Sequence, residues 1–302
     1  MARYAGSSMS IERVFVAGAG LMGHGIAQVH AAIGLAVALY EPDLARAEAG
    51  RDRIAGNLAR AVAKGRLTEE EGAATLARVE PTADPSRVAD ADLVVEAVFE
   101  DIAVKSALWR ELDALAPAGA IFASNTSSIS IHRLAEAVGA PRRERFVGMH
   151  FFSPVPVMPL IELIRGRDTA DETVAVVSEL AATLGKQVIV SADRPGFIVN
   201  RILMPFLAEA MRAYEESLGT ADDIDTGARV GLNHPMGPLE LADFIGLDVC
   251  LGIMRVLDDG LDGDHFRPPR VLTELVAAGH MGQKTGQGFH TYPRPDRAAG
   301  TG

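Results

Sequence analysis

The chain is short of cysteine, of long apolar runs and of basic clusters, and each shortage closes off a class of protein. Its 302 residues include one cysteine, Cys250, so no disulfide can form within the chain and nothing demands an oxidising compartment. A cytoplasmic setting is the expectation. Charges or histidines interrupt every apolar stretch before it reaches the roughly 18 residues of a membrane span. The first ten residues, MARYAGSSMS, hold neither the apolar core of a secretory signal nor the arginine-rich pattern of a transit peptide, and read as a loose tail. A net charge of -11 with no Lys/Arg block argues against nucleic acid, whose phosphates require a basic face. No metal site is expected. Internal repeats and low-complexity segments are lacking, apart from a short Pro/Gly-rich C-terminal tail.

What is present is the balance of a globular protein. Hydrophobic residues make up 48% and charged residues 23%, enough to bury real cores, and the length suits two domains. The first half alternates β-rich runs with helical stretches, the pattern of a mostly parallel sheet flanked by helices. Strands are predicted at residues 13–17, 35–40, 93–98, 120–124, 145–149, 160–164 and 187–190, and helices at 20–33, 44–64 and 102–115. Thr68 with Glu71, and Thr169 with Glu172, have the capping-box spacing that opens a helix. The alternation stops at Asp193-Arg194-Pro195-Gly196. Helical periodicity then takes over at 197–218, 222–230, 238–245 and 247–257. The expected architecture is therefore α/β: a doubly wound, Rossmann-type domain over 10–193, followed by a smaller all-α domain over 194–295.

Gly18-Ala-Gly20-Leu21-Met22-Gly23 follows the first strand and opens the first helix. The three glycines suit a tight turn, a close approach of pyrophosphate to backbone and a close helix contact. The helix N-terminus adds unpaired N–H groups and a positive dipole end. Glu41, at the end of the second strand, stands where an acidic residue would hold ribose hydroxyls. Its carboxylate would repel the extra phosphate of NADP, so the pattern favours NAD. The plainer reading of Glu41 is a solvated residue at a strand end.

A nicotinamide cofactor implies hydride transfer, and an alcohol losing hydride must also lose a proton. Histidine is suited to take it near neutral pH. His150 stands at the C-terminal end of a predicted strand, where open α/β sheets place their ligand crevice. Glu162 follows on the next strand, after a proline-rich connection, so that the two side chains could meet as base and orienter. On spacing alone a structural histidine is the commoner reading, by roughly two to one. Asn125-Thr126-Ser127-Ser128 ends another strand on the same edge; its hydroxyls could bind a reacting oxygen or merely cap the next helix. Asn200, early in the helix after the boundary, could reach back into an interdomain cleft or be an ordinary helix amide.

These segments together resemble the L-3-hydroxyacyl-CoA dehydrogenase family, particularly its short-chain 3-hydroxybutyryl-CoA branch. The matching stretches are GAGLMGHGIA, VVEAVFED, ASNTSSISI, GMHFFSPVPVMPLIEL, PGFIVNRIL, NHPMGPLELADFIGLD and GQKTGQGF, in order between Val16 and Phe289. The resemblance implies His150 as base, Glu162 as its partner, Ser127 as a ligand of substrate oxygen and cofactor, and Asn200 as a contact to the thioester. It implies NAD contacts at Gly18, Gly20, Leu21, Met22, Gly23, Glu41, Glu100, Lys105, Ser127, Ser153 and Lys284, and coenzyme A contacts at Asn57 and Lys64. Lys64 also reads as a helix-end lysine favoured by the dipole. Ser153 stands where many relatives have Asn, Asn57 where they have Ser, and Glu41 where Asp is commoner. A homodimer through the helical domain is a further expectation. The same chemistry on a carrier-protein thioester or a free hydroxy or sugar acid, and a non-catalytic NAD-binding protein, are the alternatives.

Overall fold

Strand runs such as LVVE and IFAS are apolar at nearly every position, which only a sheet covered on both faces can accommodate. A computed structural model of the chain, which describes residues 10–293, shows such a sheet. The tails read at the two ends of the sequence lie outside the described residues. The chain divides between Arg194 and Pro195 into two compact units, and among the described residues no helix is long and apolar enough to cross a membrane.

The first unit runs β1 (Arg13–Ala17), α1 (Leu21–Ala32), β2 (Ala36–Tyr40), α2 (Leu44–Ala63), α3 (Glu69–Ala77), β3 (Val79–Thr82), β4 (Leu93–Glu96), α4 (Ile102–Leu115), β5 (Ile121–Ser124), α5 (Ile131–Ala135), α6 (Ala140–Arg143), β6 (Phe146–Phe151), β7 (Leu160–Arg165), α7 (Asp171–Thr183) and β8 (Gln187–Ala192). The strands form one sheet in the order β3-β2-β1-β4-β5-β6-β7-β8. The first six in that order run parallel, and the order reverses between β1 and β4, the switch point at which such sheets bind dinucleotides. β7 runs antiparallel to β6. The reason is length: residues 152–159 are too few for the crossover of a dozen or more residues that a parallel return needs. β8 pairs parallel to β7.

One face of the sheet packs Val14, Val16, Leu39, Val95, Ile121 and Met149 with Ile26 of α1 and Ile54 of α2. On the other, Trp109 of α4 is fully buried, stacked on Phe122 at 4.9 Å and edge-on to Phe146 at 4.9 Å. Arg142 tightens the same region, donating to the carbonyls of Pro117, Ala118 and Ala120 and to Asp113, with its guanidinium over the Phe122 ring.

The second unit is helical: α8 (Val199–Glu215), α9 (Ala221–Thr226), α10 (Pro238–Ile245), α11 (Leu247–Gly260) and α12 (Arg270–Ala277). Its own core gathers Met204, Leu207, Met211, Leu239, Leu251, Met254 and Leu272.

Several local expectations need correction. β3 had no counterpart in the sequence reading, because it is four residues long and carries Pro81, tolerable only because the strand lies at the sheet edge. The Thr68–Glu71 capping box is present, but Thr169–Glu172 is not one. Ala170 caps α7, and the Thr169 hydroxyl donates to the Phe146 carbonyl instead. A tertiary acceptor claimed the hydroxyl that a local backbone N–H would have used. The helix expected from 197 begins at Val199, after Phe197 turns with a φ of 51°. The helix expected over 222–230 ends at Thr226 and passes into a wider turn over Gly227–Gly231.

Candidate active site

The glycine turn joins β1 to α1 at the switch point. Gly18 has a φ of 102°, and a Cβ there would lie 2.6 Å from the Ala97 carbonyl oxygen. A Cβ on Gly23 would lie 1.7 Å from the Gly18 carbonyl oxygen, so α1 can approach only as glycine. Gly20 differs: a Cβ there would meet nothing within 4 Å. Its backbone therefore borders open space at the N-terminus of α1, as a pyrophosphate cradle requires. Glu41, just past β2, is turned toward this cradle and accepts from the Ala19 N–H at 2.8 Å. One carboxylate oxygen is thus anchored to the turn while the other can receive ribose hydroxyls. The residues present fit an NAD.

Where β7 turns antiparallel to β6, His150 and Glu162 are directly opposed in the register. Their side chains share the same face, and His150 Nδ1 lies 3.2 Å from Glu162 Oε2. Glu162 is fully buried and His150 is 7% exposed. An ionised carboxylate only accepts, so this contact puts the ring proton on Nδ1 and the basic lone pair of the neutral imidazole on Nε2. The Phe152 ring packs against the imidazole at 4.5 Å. The pair has the geometry that a base with an orienting carboxylate would need, with both side chains buried.

The turn after β5 is tied to the same strand end, since Asn125 Oδ1 accepts from the Phe151 N–H at 2.8 Å. Its next three residues converge on one carboxylate. Glu100 Oε1 accepts from the Thr126 hydroxyl at 2.6 Å, the Ser127 and Ser128 N–H groups at 2.9 and 3.0 Å, and the Ser128 hydroxyl at 2.9 Å, with the Ser127 hydroxyl at 3.3 Å. Burial pushes the Glu100 carboxyl up, but the Lys105 charge and these hydrogen bonds outweigh it and hold the group below the usual carboxylate range. Behind it, Lys105 Nζ lies 2.5 Å from Glu96 Oε1, in a site where both side chains are buried. Burial raises the Glu96 carboxyl, opposed by Lys105 and by hydrogen bonds from Ser124 and the Val98 N–H.

Models of the 3-hydroxyacyl-CoA dehydrogenase NAD-binding domain and C-terminal domain match residues 13–194 and 196–292. The chain belongs to this family. It is 49% identical to the 3-hydroxybutyryl-CoA dehydrogenase of Bradyrhizobium diazoefficiens over 93% of this chain and 96% of that one. The 3-hydroxybutyryl-CoA dehydrogenase of Mycobacterium tuberculosis is 45% identical, covering 94% of this chain and 100% of its own. The crystal structure of (S)-3-hydroxybutyryl-CoA dehydrogenase from Ralstonia eutropha matches with a TM-score of 0.91 and 44% identity, over 94% of this chain and 100% of that one.

The other positions expected from the family fall in several places. Leu21 is exposed at the first turn of α1, while Met22 packs toward the core. Ser153 is exposed in the β6–β7 connection. Asn57 lies on α2, donates to Gln28 Oε1 at 3.0 Å and accepts from Arg60. Lys64 is the exposed cap residue at the C-terminal end of that helix. Lys284, in the second unit, is paired with Asp248. Asn200 sits in the first turn of α8 and is 7% exposed. Sequence reasoning missed Glu96. The available signal was a lone acid inside an otherwise apolar strand, which demands a buried partner.

Proposed function

We propose that this chain interconverts an (S)-3-hydroxyacyl-CoA, of short chain such as 3-hydroxybutyryl-CoA, and its 3-ketoacyl-CoA, with NAD as hydride carrier and His150 as general base. The observation that carries the reading is the 3.2 Å contact between His150 and Glu162 at the strand ends of a sheet whose glycine turn fits a dinucleotide. His150 Nε2 takes the proton of the C3 hydroxyl. Its Nδ1–H then faces Glu162, which stabilises the imidazolium formed. NAD, which the Gly18–Gly23 turn and Glu41 would hold, would supply the acceptor for the hydride from C3. Ser127 holds the C3 oxygen, and Asn200 and the Asn57–Lys64 stretch serve the thioester and its coenzyme A. In the reverse direction the imidazolium returns the proton to the same oxygen.

The proposal includes a homodimer formed through the helical unit, where Ile202, Val230, Leu232 and Phe244 are large apolar residues left exposed. It also includes a cytoplasmic setting, in which the buried Cys250, its thiol pushed up to about 12 by burial, needs no partner. The test is NADH formation from 3-hydroxybutyryl-CoA, longer acyl-CoA esters, a carrier-protein thioester and free hydroxy acids, with NAD and NADP in parallel. Fastest turnover of the short CoA ester with NAD is expected. Preference for the carrier-linked or free acid would overturn the substrate, and no NADH from any of them would leave a nucleotide binder.

A further inference from the structure

The connection from β6 to β7, residues 152–159, is neither helix nor strand, yet it is held from several sides. Within it, residues 154–158 form one turn, in which the Pro154 carbonyl accepts from the Val157 and Met158 N–H groups at 2.9 and 3.0 Å. A single turn leaves its later carbonyls to find acceptor duty elsewhere. Two of them, those of Val155 and Met158, accept from one ammonium group, Lys186 Nζ, at 2.7 and 2.8 Å. Lys186 directly precedes β8 and lies 31 and 28 positions further along the chain, so the contact is tertiary. Its ammonium is drawn inward to reach them: Lys186 is half-buried, and burial holds its pKa below the ordinary lysine value.

α1 supports the turn from another side. Gly25 is not one of the three glycines of the nucleotide turn, but a Cβ there would lie 2.9 Å from the Val155 Cβ and 3.5 Å from the Pro156 Cδ. Only a residue without a side chain lets α1 and the turn come so close. At the near end, the Phe151 N–H is fixed by Asn125 Oδ1 at 2.8 Å. Between these anchors lies Phe152, whose ring packs on the His150 imidazole at 4.5 Å.

We propose that Lys186 is a positioning residue for the reaction: by holding the Val155 and Met158 carbonyls it seats the turn at 154–158 against Gly25, and so fixes the Phe152 ring on the His150 imidazole. The inference rests on the proposed role of His150 as base. Glu162 fixes Nδ1 and the Phe152 ring fixes the plane of the imidazole, and together they decide where Nε2 points. The helix that meets Val155 is also the one whose N-terminus carries the glycine turn. Lys186 thus acts through the turn to set the base relative to the helix that would hold the cofactor.

The experiment compares wild type with Lys186→Met, which removes the donors but keeps an unbranched stem, and with Lys186→Arg, which restores donors. Three quantities are read: kcat and KM on whichever hydroxy substrate the wild-type chain turns over, the NADH dissociation constant by fluorescence titration, and hydrogen–deuterium exchange of the peptide spanning residues 151–159. A displacement of about 1 Å costs a reacting group roughly 10²-fold, and Lys186 acts at one remove, so Lys186→Met is expected to lower kcat about tenfold. KM and the NADH dissociation constant stay within about threefold, because a group that orients the reacting centre acts on kcat rather than on binding. Exchange across 151–159 becomes about tenfold faster as the turn loses its outer anchor. A guanidinium can still donate to two carbonyls, so Lys186→Arg returns kcat and exchange to within about threefold of wild type. Lys186→Gln, too short to reach both carbonyls, replaces Lys186→Met if the latter does not fold, with the same changes expected.

NADH binding weakened roughly tenfold or more with kcat retained would make Lys186 a binding residue and overturn the inference. Ordinary kcat despite faster exchange would show that the place of the turn does not govern the base, and unchanged exchange would show that Lys186 does not hold the turn; either result overturns it. An equal loss of kcat in Lys186→Arg would mark general disruption and overturn it too. A wild-type chain that turns over no hydroxy substrate would instead refute the proposed function, while exchange still reports on the anchor, so the two failures are distinct.

Discussion

Buried carboxylates occur in both units, but they face different things. In the helical unit, Asp225 accepts from the Leu239 and Glu240 N–H groups at 2.8 and 3.0 Å, at the N-terminus of α10, and touches His290 Nε2 at 2.7 Å. Asp243 accepts from the Phe289 and His290 N–H groups at 3.0 and 2.9 Å and from the Tyr292 hydroxyl. Gly288 must be glycine there, because a Cβ would lie 1.9 Å from Asp243 Oδ1. In the sheet unit, Glu162 meets an imidazole and Glu96 an ammonium group, at the ends of strands. Asp225 and Asp243 touch titratable side chains as well, but each also binds two backbone N–H groups and so caps a helix or pins a chain segment. Glu162 instead lies opposite a histidine at a strand end, the placement that suits a tuned titratable pair. Asp193 shows that the division follows the partner and not the unit. It lies in the sheet unit, yet accepts from the Ile131 and His132 N–H groups.

The comparison breaks first at His150. His150→Ala is expected to lower turnover by roughly 10²–10⁴-fold, the range for loss of a general base, while NADH affinity stays within a fewfold. A folded variant with ordinary turnover would place His150 with the architectural group.

His30 extends the contrast to a second imidazole. It is fully buried on α1, edge-on to Phe151, with Nδ1 on the Ile26 carbonyl and, among the described residues, no hydrogen-bond partner for Nε2. Burial pushes its pKa down from 6.5 to about 4, against the raising effect of the Ile26 hydrogen bond. The folded state therefore binds less proton than the unfolded one. Its stability contribution is complete above pH 6.5 and is lost as pH falls toward 4, over roughly 2.5 pH units at about 1.4 kcal/mol each, about 3–4 kcal/mol in all. Urea titrations of wild type and His30→Leu between pH 7 and 4 read this; equal slopes for both would refute it.

Asp225→Ala should cost about 2 kcal/mol, through two orphaned N–H groups at a helix N-terminus, with kcat per folded molecule retained. A fall in kcat at full folding would give this acid a chemical role. The smallest effect is expected at Glu41: Glu41→Ala should weaken NAD binding roughly tenfold, about 1.4 kcal/mol. Unchanged affinity by titration would return Glu41 to the ordinary strand-end residue that its position also allows.

Much of the molecule was legible in local terms. The turn at Gly18–Gly23, the helices at 102–115 and 238–245 and the halt in alternation before Pro195 are encoded within a few residues of themselves, by turn chemistry and periodicity. His150 and Glu162 were legible only as residues that could meet; the structure decided it, because the eight residues between its two strands leave only an antiparallel return, and that return sets the pair face to face. The parts that only the tertiary structure decided are those whose partners lie far along the chain. Glu96 meets Ser124 across 28 positions, Glu100 gathers residues 126–128, and Thr169 leaves a local helix cap for a carbonyl on β6. A buried polar group must find a partner, yet its own neighbourhood in sequence does not say which, since packing of the sheet chooses among all the acceptors it brings near.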